Sequence, residues 1–253
     1  MRSFILMTAT VAPSTLMPGT ARSDPALRLA EYLAAFDHYL ALDDALVDGI
    51  ILLENSGFDL APFRERHARS GSRKTVHLVN VPDDYDHSKG KGYGEFLMID
   101  RGLAQLAASG AIAPEDRLWK VTGRLIVANM AQMMARAPRS FDFYCDLRKV
   151  PLIGESLGGN RWAELRLIAF TMRGYYALLR GQYDSDFVLE KSFFEILHDN
   201  LGSGALAITP RFAIQPTFVG YSGFSNQSYL SPSKRAKNAL RAVGRRLLPA
   251  LWL

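Results

Sequence analysis

Strand patterns alternate with helical patterns along the first half of the chain, and this alternation restricts the possible folds more than any other feature. Strand-like apolar runs occupy residues 4–10, 49–57 and 73–81, and a further run surrounds a glycine within residues 116–129. Such alternation places successive strands side by side with helices across the faces of the sheet. It therefore predicts an α/β domain with a mainly parallel central sheet flanked by helices.

Two helices are predicted between these strands. Residues 23–42 begin with Ser23 or Asp24 as the capping side chain and Pro25 at the first helical position, and apolar residues then recur at helical spacing. Residues 95–109 show the same period. In open sheets of this kind ligands bind at the carboxyl ends of the strands, so the loops there are where we expect the chemistry.

The second half of the chain has less regular patterns. Residues 142–148 predict a short strand, residues 161–179 a strand that runs into a helix, and residues 185–201 another helix. No internal repeat and no low-complexity linker separates the two halves. The simplest organisation is therefore a single domain.

The composition narrows the class of protein. A hydrophobic fraction of 48% and a charged fraction of 22% are typical of a globular protein with a sizeable core. No uncharged apolar run reaches about 18 residues, so no transmembrane helix is predicted. The single cysteine, Cys145, excludes an intrachain disulfide and a zinc site made of cysteines, and its aromatic neighbours predict a place in the core.

The first 21 residues allow two interpretations. An early arginine followed by an apolar run is typical of a secretory signal. Thr8, Thr10 and Pro13 interrupt that run, and no clear cleavage site follows. These interruptions favour a buried first strand that ends in a proline-containing loop.

The net charge of +5 comes from the end of the chain. Residues 233–246 contain six lysines and arginines and no acidic residue, and without those six the chain has 24 basic and 25 acidic residues. Residues 233–253 predict a basic amphipathic helix, in which Ala236, Leu240 and Val243 recur at helical spacing. Such a helix suits an anionic membrane surface, with a merely solvated helix as the alternative. It carries no nucleic-acid-binding motif, so no nucleic-acid partner is expected.

Residues 88–102 place three glycines at alternate positions directly before a helical pattern. Gly90, Gly92 and Gly94 would let the backbone approach a phosphate, with positive charge from Lys89 and Lys91. A dinucleotide fingerprint belongs after the first strand and this segment follows the third, so a Rossmann cofactor is disfavoured. A tight turn with solvated lysines is the alternative.

The segments TAT, ENSGFDL, GKGYGE and KVTGR, in this order and spacing, resemble small bacterial glycosyltransferases of the GT-A, nucleotide-diphospho-sugar transferase type. The resemblance spans most of the chain, from ILMTATVAP to PTFVGYSG and the basic tail. It implies a GT-A-like domain over residues 1–232, with a donor half at about 1–130, an acceptor half at about 131–232, and a separate tail at 233–253.

The resemblance also implies an activity and a location. Such an enzyme moves a sugar from a nucleotide-sugar donor to a glycan or lipid-linked acceptor, here a polysaccharide or lipopolysaccharide precursor. We expect it in the cytoplasm, peripheral on the inner face of the cytoplasmic membrane. By position in the pattern, the residues that the resemblance assigns to the donor are Thr8, Ala9, Thr10, Glu54, Asn55, Lys89, Gly90, Lys91, Gly92, Gly94 and Glu95.

One departure from the family pattern bears on catalysis. GT-A enzymes usually carry an Asp-x-Asp motif after the fourth strand, and this chain has Lys120 and Arg124 there. Fixed cations neutralise a leaving diphosphate as a metal does, which favours catalysis with no required cofactor. The alternatives are that both residues form surface ion pairs, or that Asp142 and Asp146 hold a divalent metal.

Transfer to a hydroxyl with inversion also needs a carboxylate that takes the acceptor's proton. Glu190 and Asp146 are the preferred candidates, and Glu164 is a third. Two other functions stay open: a Rossmann-like S-adenosylmethionine methyltransferase, and a non-catalytic, membrane-associated glycan assembly factor that retains only the fold.

Overall fold

The computed structural model describes residues 1–15, 21–150, 160–184, 188–222, 226–247 and 252. The helices within these ranges are α1 (Pro25–Leu40), α2 (Ala61–Ser70), α3 (Gly90–Ala108), α4 (Met130–Ala135), α5 (Met172–Leu178), α6 (Leu189–Asp199) and α7 (Pro232–Leu247). The strands are β1 (Ser3–Ala9), β2 (Gly49–Glu54), β3 (Thr75–Asn80), β4 (Arg117–Thr122), β5 (Ile126–Val127), β6 (Phe143–Tyr144), β7 (Leu147–Arg148), β8 (Trp162–Ala163), β9 (Leu167–Thr171), β10 (Ile208–Thr209) and β11 (Phe218–Val219).

A seven-stranded sheet in the order β10-β6-β9-β4-β1-β2-β3 forms the centre of the fold. The first four strands of the chain run parallel, and β9 runs antiparallel to both β4 and β6. Strand β1 lies between β2 and β4, so the chain leaves β1 toward one side of the sheet and later returns to its other side. The prediction of a mainly parallel sheet flanked by helices is confirmed.

The two faces of the sheet carry separate cores. Ile5 and Met7 of β1 pack with α1 and α2 on one face, whereas Phe4 and Leu6 pack with α3 and α6 on the other. This division follows from the strand period, because successive side chains point to opposite faces of a sheet. Cys145 is buried in the second core, and burial raises the pKa of its thiol, which suits the predicted structural role.

Helix α1 begins where the sequence predicts. The Asp24 carboxylate accepts hydrogen bonds from the Ala26 and Leu27 amides at 2.8 and 3.3 Å, and Pro25 is the first helical residue. Helix α2 was not predicted. Its residues are largely polar and Phe63 is its one buried side chain, so it lacks the apolar period by which amphipathic helices are recognised.

The glycine-rich segment is helical, which corrects the prediction of a loop there. Helix α3 begins at Gly90, five residues earlier than the apolar pattern indicates. A Cβ atom at Gly94 would lie 1.9 Å from the Tyr85 hydroxyl oxygen, and one at Gly92 would lie 3.1 Å from Leu189. Two of the glycines therefore allow neighbouring side chains to pack against the first turns of a helix.

The apolar residues of α7 point to solvent. Leu240 and Leu247 are 74% and 72% exposed, whereas Arg245 is turned inward and its guanidinium donates to Gln215 Oε1 at 2.7 Å and to the Asp146 carboxylate. The helix is amphipathic as predicted, but this part of its basic face lies on the protein. Across the ranges that the structure describes, no helix is long and apolar enough to span a membrane.

Candidate functional site

A cavity opens at the carboxyl ends of the parallel strands β1 and β4. At this point the order of strands changes from one side of β1 to the other. Thr8 and Thr122 are register partners on these strands, and both line the cavity. This first cavity has a volume of about 150 Å³, and its further polar lining includes Thr10, Arg28, Tyr32, Asn55, Asp83, Lys91, Glu95 and Arg124. Its place agrees with the general rule for ligand sites in open α/β sheets.

A second, larger cavity adjoins the first. It has a volume of about 810 Å³ and shares with the first cavity Lys91, Glu95, Thr122 and Arg124. Its other walls come from the second half of the chain and from α7, including Trp162, Glu164, Arg166, Glu190, Tyr229 and Arg241. The shared residues make the two cavities a continuous cleft.

Three basic side chains surround the first cavity. The Arg28 guanidinium donates to the Thr10 carbonyl at 2.8 Å, and the Arg124 guanidinium pairs with Glu31 at 2.9 Å. Burial, together with Arg28 and Arg124, lowers the pKa of the Lys91 ammonium, and burial and Arg124 act in the same direction on Arg28. The three basic side chains face two carboxylates, Asp83 and Glu95, in the lining, so basic groups are in the majority on the walls of this cavity.

Backbone packing fixes the start of Arg124's loop. Gly123 follows β4 directly, and its amide donates to the Thr8 carbonyl at 3.1 Å. A Cβ atom there would lie 2.5 Å from the same carbonyl oxygen, so a larger residue would push the loop away from β1. The close approach places Arg124 directly beyond the end of β4.

The other wall of the first cavity carries a chain of hydrogen-bonded polar side chains. The Thr10 hydroxyl donates to Asn55 Oδ1 at 2.6 Å, and the Asn55 amide donates to Asp83 Oδ1 at 3.4 Å. Asp83 in turn lies 3.1 Å from His87 Nε2. Thr10 and Asn55 follow β1 and β2, and Asp83 and His87 follow β3, so the linked groups lie at the carboxyl ends of three neighbouring parallel strands.

Glu95 joins the two cavities. Its Oε1 accepts from the Thr8 hydroxyl at 2.6 Å and lies 2.8 Å from the Lys120 ammonium, which also donates to the Leu165 carbonyl at 2.6 Å. Lys120 is fully buried, so its charge is balanced inside the protein. The network holds Glu95 in place on the wall of the cleft.

A second carboxylate organises the larger cavity. Glu164 is buried and pairs with Arg148 at 2.6 Å and with Arg166 Nε at 2.6 Å. Burial alone would raise the pKa of Glu164, but Arg166 and Arg148 outweigh it and hold that pKa well below its usual range. The Arg166 guanidinium also lies 4.4 Å from the Phe218 ring centroid and 4.9 Å from that of Tyr229.

Glu190 lies at the start of α6 and lines the second cavity. Burial raises the pKa of its carboxyl group, and the nearby carboxylates of Glu164 and Glu95 act in the same direction. A carboxylate with a raised pKa is a better proton acceptor than a fully solvated one. Among the predicted bases, Glu190 is the one that lines the second cavity with a raised pKa.

Several predicted donor residues do lie at the first cavity, namely Thr8, Thr10, Asn55, Lys91, Gly94 and Glu95, and Gly92 lies at the second. Ala9 and Gly90 line neither cavity. Lys89 is directed away from the cleft, with its ammonium 3.0 Å from the Asp184 carboxylate. Sequence order alone does not separate Lys89 from Lys91, because their directions depend on the helix that begins between them.

The assignment of Glu54 to the donor does not hold. Its carboxylate is fully buried and accepts hydrogen bonds from the amides of Val11, Ser56 and Phe58 at 3.0, 2.9 and 3.0 Å. Glu54 thus secures the loops after β1 and β2, and Asn55, one residue later, reaches the cavity instead.

The expectation that Lys120 faces a diphosphate fails as well, because its buried ammonium is occupied by Glu95 and Leu165. Arg124 is the member of that predicted pair that lines the cleft. Lys120 occupies a strand position whose side chain points into the core beside Phe96, 5.5 Å from its ring centroid, whereas Arg124 lies beyond the strand.

Asp142 and Asp146 do not form the alternative metal site. Asp142 Oδ1 accepts from Thr171 at 3.0 Å and from Arg173 at 2.7 Å, and its Oδ2 accepts from the Ala207 amide at 2.9 Å. Asp146 is buried and paired with Arg245, which also removes it as an acceptor base. Within the described ranges, no three histidine, cysteine or carboxylate side chains gather as metal ligands do.

The sequence patterns missed Arg28 and the arginines of the second cavity. Arg28 lies four residues before Tyr32 on the apolar face of α1, and both are buried. An arginine on the core side of a predicted helix could have marked Arg28 as a candidate site residue, because burying a guanidinium is unfavourable without specific partners. Arg166 and Arg241 carry no comparable local signal, since they meet only in the folded chain.

Comparison with known proteins gives a fold-level likeness only. No protein-family model matches the chain, and no curated protein matches it in sequence. Among solved structures, the nucleoside-diphosphate-sugar pyrophosphorylase from Vibrio cholerae RC9 has 14% identity and a TM-score of 0.47, covering 93% of this chain and 98% of that one. A 4-diphosphocytidyl-2C-methyl-D-erythritol synthase has 13% identity and a TM-score of 0.42, covering 95% and 99%. The inositol-1-phosphate CTP transferase from T. maritima has 11% identity and a TM-score of 0.44, covering 83% and 85%. Likeness at this level carries no information on the substrates of this chain.

Proposed function

We propose that the protein is a glycosyltransferase that takes a sugar from a nucleotide-sugar donor bound in the first cavity. The observation that carries the proposal is the group of three basic side chains, Arg28, Lys91 and Arg124, at the carboxyl ends of β1 and β4. A diphosphate offers several acceptor oxygens to these basic side chains, and the polar side chains of Thr10 and Asn55 suit a nucleoside.

The chemistry follows from the charge arrangement. The acceptor hydroxyl loses its proton to the Glu190 carboxylate, its oxygen bonds to the anomeric carbon, and the bond from that carbon to the diphosphate breaks. The leaving diphosphate gains negative charge at this step, which Arg124 and Lys91 stabilise by electrostatic attraction. Burial of Glu190 supports its role, since it favours proton uptake by the carboxylate.

We further propose that the acceptor is a polysaccharide or lipopolysaccharide precursor and that the enzyme works on the inner face of the cytoplasmic membrane. The exposed apolar residues Leu240, Val243 and Leu247 on α7, in a segment rich in basic residues, support docking to an anionic membrane. The apolar side chains enter the interface, and the positive charge of the segment favours anionic lipid.

The test is calorimetric titration with UDP, GDP, CMP, dTDP and S-adenosylmethionine, each in EDTA and in manganese. We expect one nucleotide to bind in EDTA, because basic side chains already surround the cavity. Lys91→Gln should weaken binding about tenfold, or about 1.4 kcal/mol. Lys89→Gln is the matched control, since it removes the same charge two residues away. Lys89 pairs with Asp184 outside the cleft, so its loss should leave nucleotide binding unchanged.

Other outcomes would contradict the proposal. Binding of S-adenosylmethionine alone would indicate a methyltransferase, and no binding of any nucleotide would indicate a non-catalytic factor. Incubation with a nucleoside triphosphate and a sugar phosphate provides a further arm. Release of pyrophosphate there would indicate nucleotidyl transfer in place of glycosyl transfer.

A further inference from the structure

The second cavity has a marked excess of positive charge. Its walls include three carboxylates, Glu95, Glu164 and Glu190, against the basic residues Lys91, Arg124, Arg148, Arg166, Lys191, Lys234 and Arg241. Glu95 is paired with Lys120 and Arg124 is paired with Glu31, and both of these partners lie outside this set. Glu164 pairs with both Arg148 and Arg166. The carboxylates therefore do not neutralise the basic side chains of this cavity.

Helix α7 supplies one wall of the cavity. Lys234, Asn238 and Arg241 lie four and three residues apart, which places them on one face of the helix, and all three line the cavity. The Lys234 ammonium lies 4.6 Å from the Tyr229 ring centroid. The chain thus uses its terminal helix to bring basic groups to a cavity formed by the second half of the domain.

Arg241 is the most informative of these groups. It is half-buried and forms no ion pair with any residue that the structure describes. Burial, with the nearby charge of Arg148, lowers the pKa of its guanidinium to about 10. Glu164 and Asp146 act on this pKa in the opposite direction, but neither forms an ion pair with Arg241. The planar guanidinium therefore has N–H donors that suit a bound anion.

We propose that the second cavity binds a phosphate group on the acceptor, held by Arg241 and Lys234 of α7 together with Arg148. This inference rests on the proposed function, because it assigns the donor to the first cavity and the acceptor to the second. The phosphate is recognised and takes no part in the transfer. Trp162 and Tyr229, which also line the cavity, offer surfaces for the remainder of the acceptor.

The position of α7 favours a lipid as the source of that phosphate. One face of the helix lines the cavity, and Leu240, Val243 and Leu247 are exposed elsewhere on it. A helix lying on a membrane by its apolar residues would hold the cavity close to the level of lipid headgroups. A soluble sugar phosphate has the same phosphate chemistry, so the experiment includes both sources.

The experiment is a calorimetric titration of the full chain with three probes below their micellar concentrations. These are dihexanoyl phosphatidic acid, dihexanoyl phosphatidylcholine and glycerol 3-phosphate. We expect phosphatidic acid to bind more tightly than glycerol 3-phosphate, and phosphatidylcholine not to bind. Arg241→Gln and Lys234→Gln should each weaken phosphatidic acid binding about tenfold, which is about 1.4 kcal/mol.

Arg69→Gln is the control, because it removes the same charge from an exposed residue of α2. UDP or the nucleotide that binds best is titrated into each variant, and its affinity should be unchanged. If nucleotide binding persists but Arg241→Gln does not alter phosphatidic acid binding, the inference is overturned and the proposed function stands. Absence of nucleotide binding by the unmodified protein overturns the proposed function itself. Equal binding of glycerol 3-phosphate supports the phosphate site and overturns its lipid source.

Discussion

The ion pair between the buried Lys120 and the partly exposed Glu95 predicts an unequal response to the loss of either partner. Glu95→Gln retains the shape of the side chain but removes the negative charge that balances the fully buried Lys120 ammonium. Removing one partner of a buried ion pair costs about 3–5 kcal/mol, because the other charge stays buried without compensation. Lys120→Met instead removes the charge that is fully buried.

The expected cost of Lys120→Met is smaller for two reasons. The Glu95 side chain is 24% exposed and therefore partly hydrated, and it continues to accept a hydrogen bond from Thr8. Loss of the bond to the Leu165 carbonyl costs about 1–2 kcal/mol. In the double variant no charge is left buried, so its stability should exceed that of Glu95→Gln alone.

Thermal unfolding followed by circular dichroism measures the difference. For a chain of this size 1 kcal/mol shifts Tm by about 2–4 °C, so Glu95→Gln should lower Tm by about 6–20 °C. Lys120→Met should lower it by about 2–8 °C. The reasoning is refuted if the two single variants are equally unstable and their effects add in the double variant, since that result would mean that the two charges do not depend on each other.

Three further results are expected. Gly94→Ala should weaken nucleotide binding in calorimetry, because its Cβ atom would meet the Tyr85 hydroxyl at 1.9 Å and displace a wall of the first cavity; in a Tyr85→Ala background the same change should have no further effect. Nucleotide binding should take up protons and should weaken as the pH rises toward the ordinary lysine pKa of about 10.4, because burial and nearby arginines lower the pKa of Lys91 and a bound anion restores its charge. Titrations in buffers of different ionisation heat measure this proton uptake, and Lys91→Gln should abolish it. Leu240→Glu should prevent flotation with phosphatidylglycerol vesicles, whereas Leu27→Glu, an exposed position on α1, should not, and equal flotation of all three proteins would argue against docking by α7.

Local patterns were sufficient for the elements whose cause is local. Strand β1 and helix α1 follow from an apolar run, the Asp24 cap and Pro25, and neighbouring residues alone decide these features. The order of strands and helices in turn predicted the parallel sheet and the edge where the first cavity lies. Helix α2 and the early start of α3 were not predicted, because α2 is largely polar and α3 begins with glycines.

The sequence by itself thus determined the α/β class, the edge of the sheet that carries the cleft, and the amphipathic character of the last helix. Only the tertiary structure decided which side chains face the cleft. Lys120 turns into the core and Arg124 into the cleft because one lies within a buried strand and the other beyond its end. Likewise, the amphipathic pattern of α7 does not tell which face of the helix contacts the protein. In the structure the carboxylate of Asp146, which is distant in sequence, pairs with Arg245, and the apolar face of α7 is left exposed.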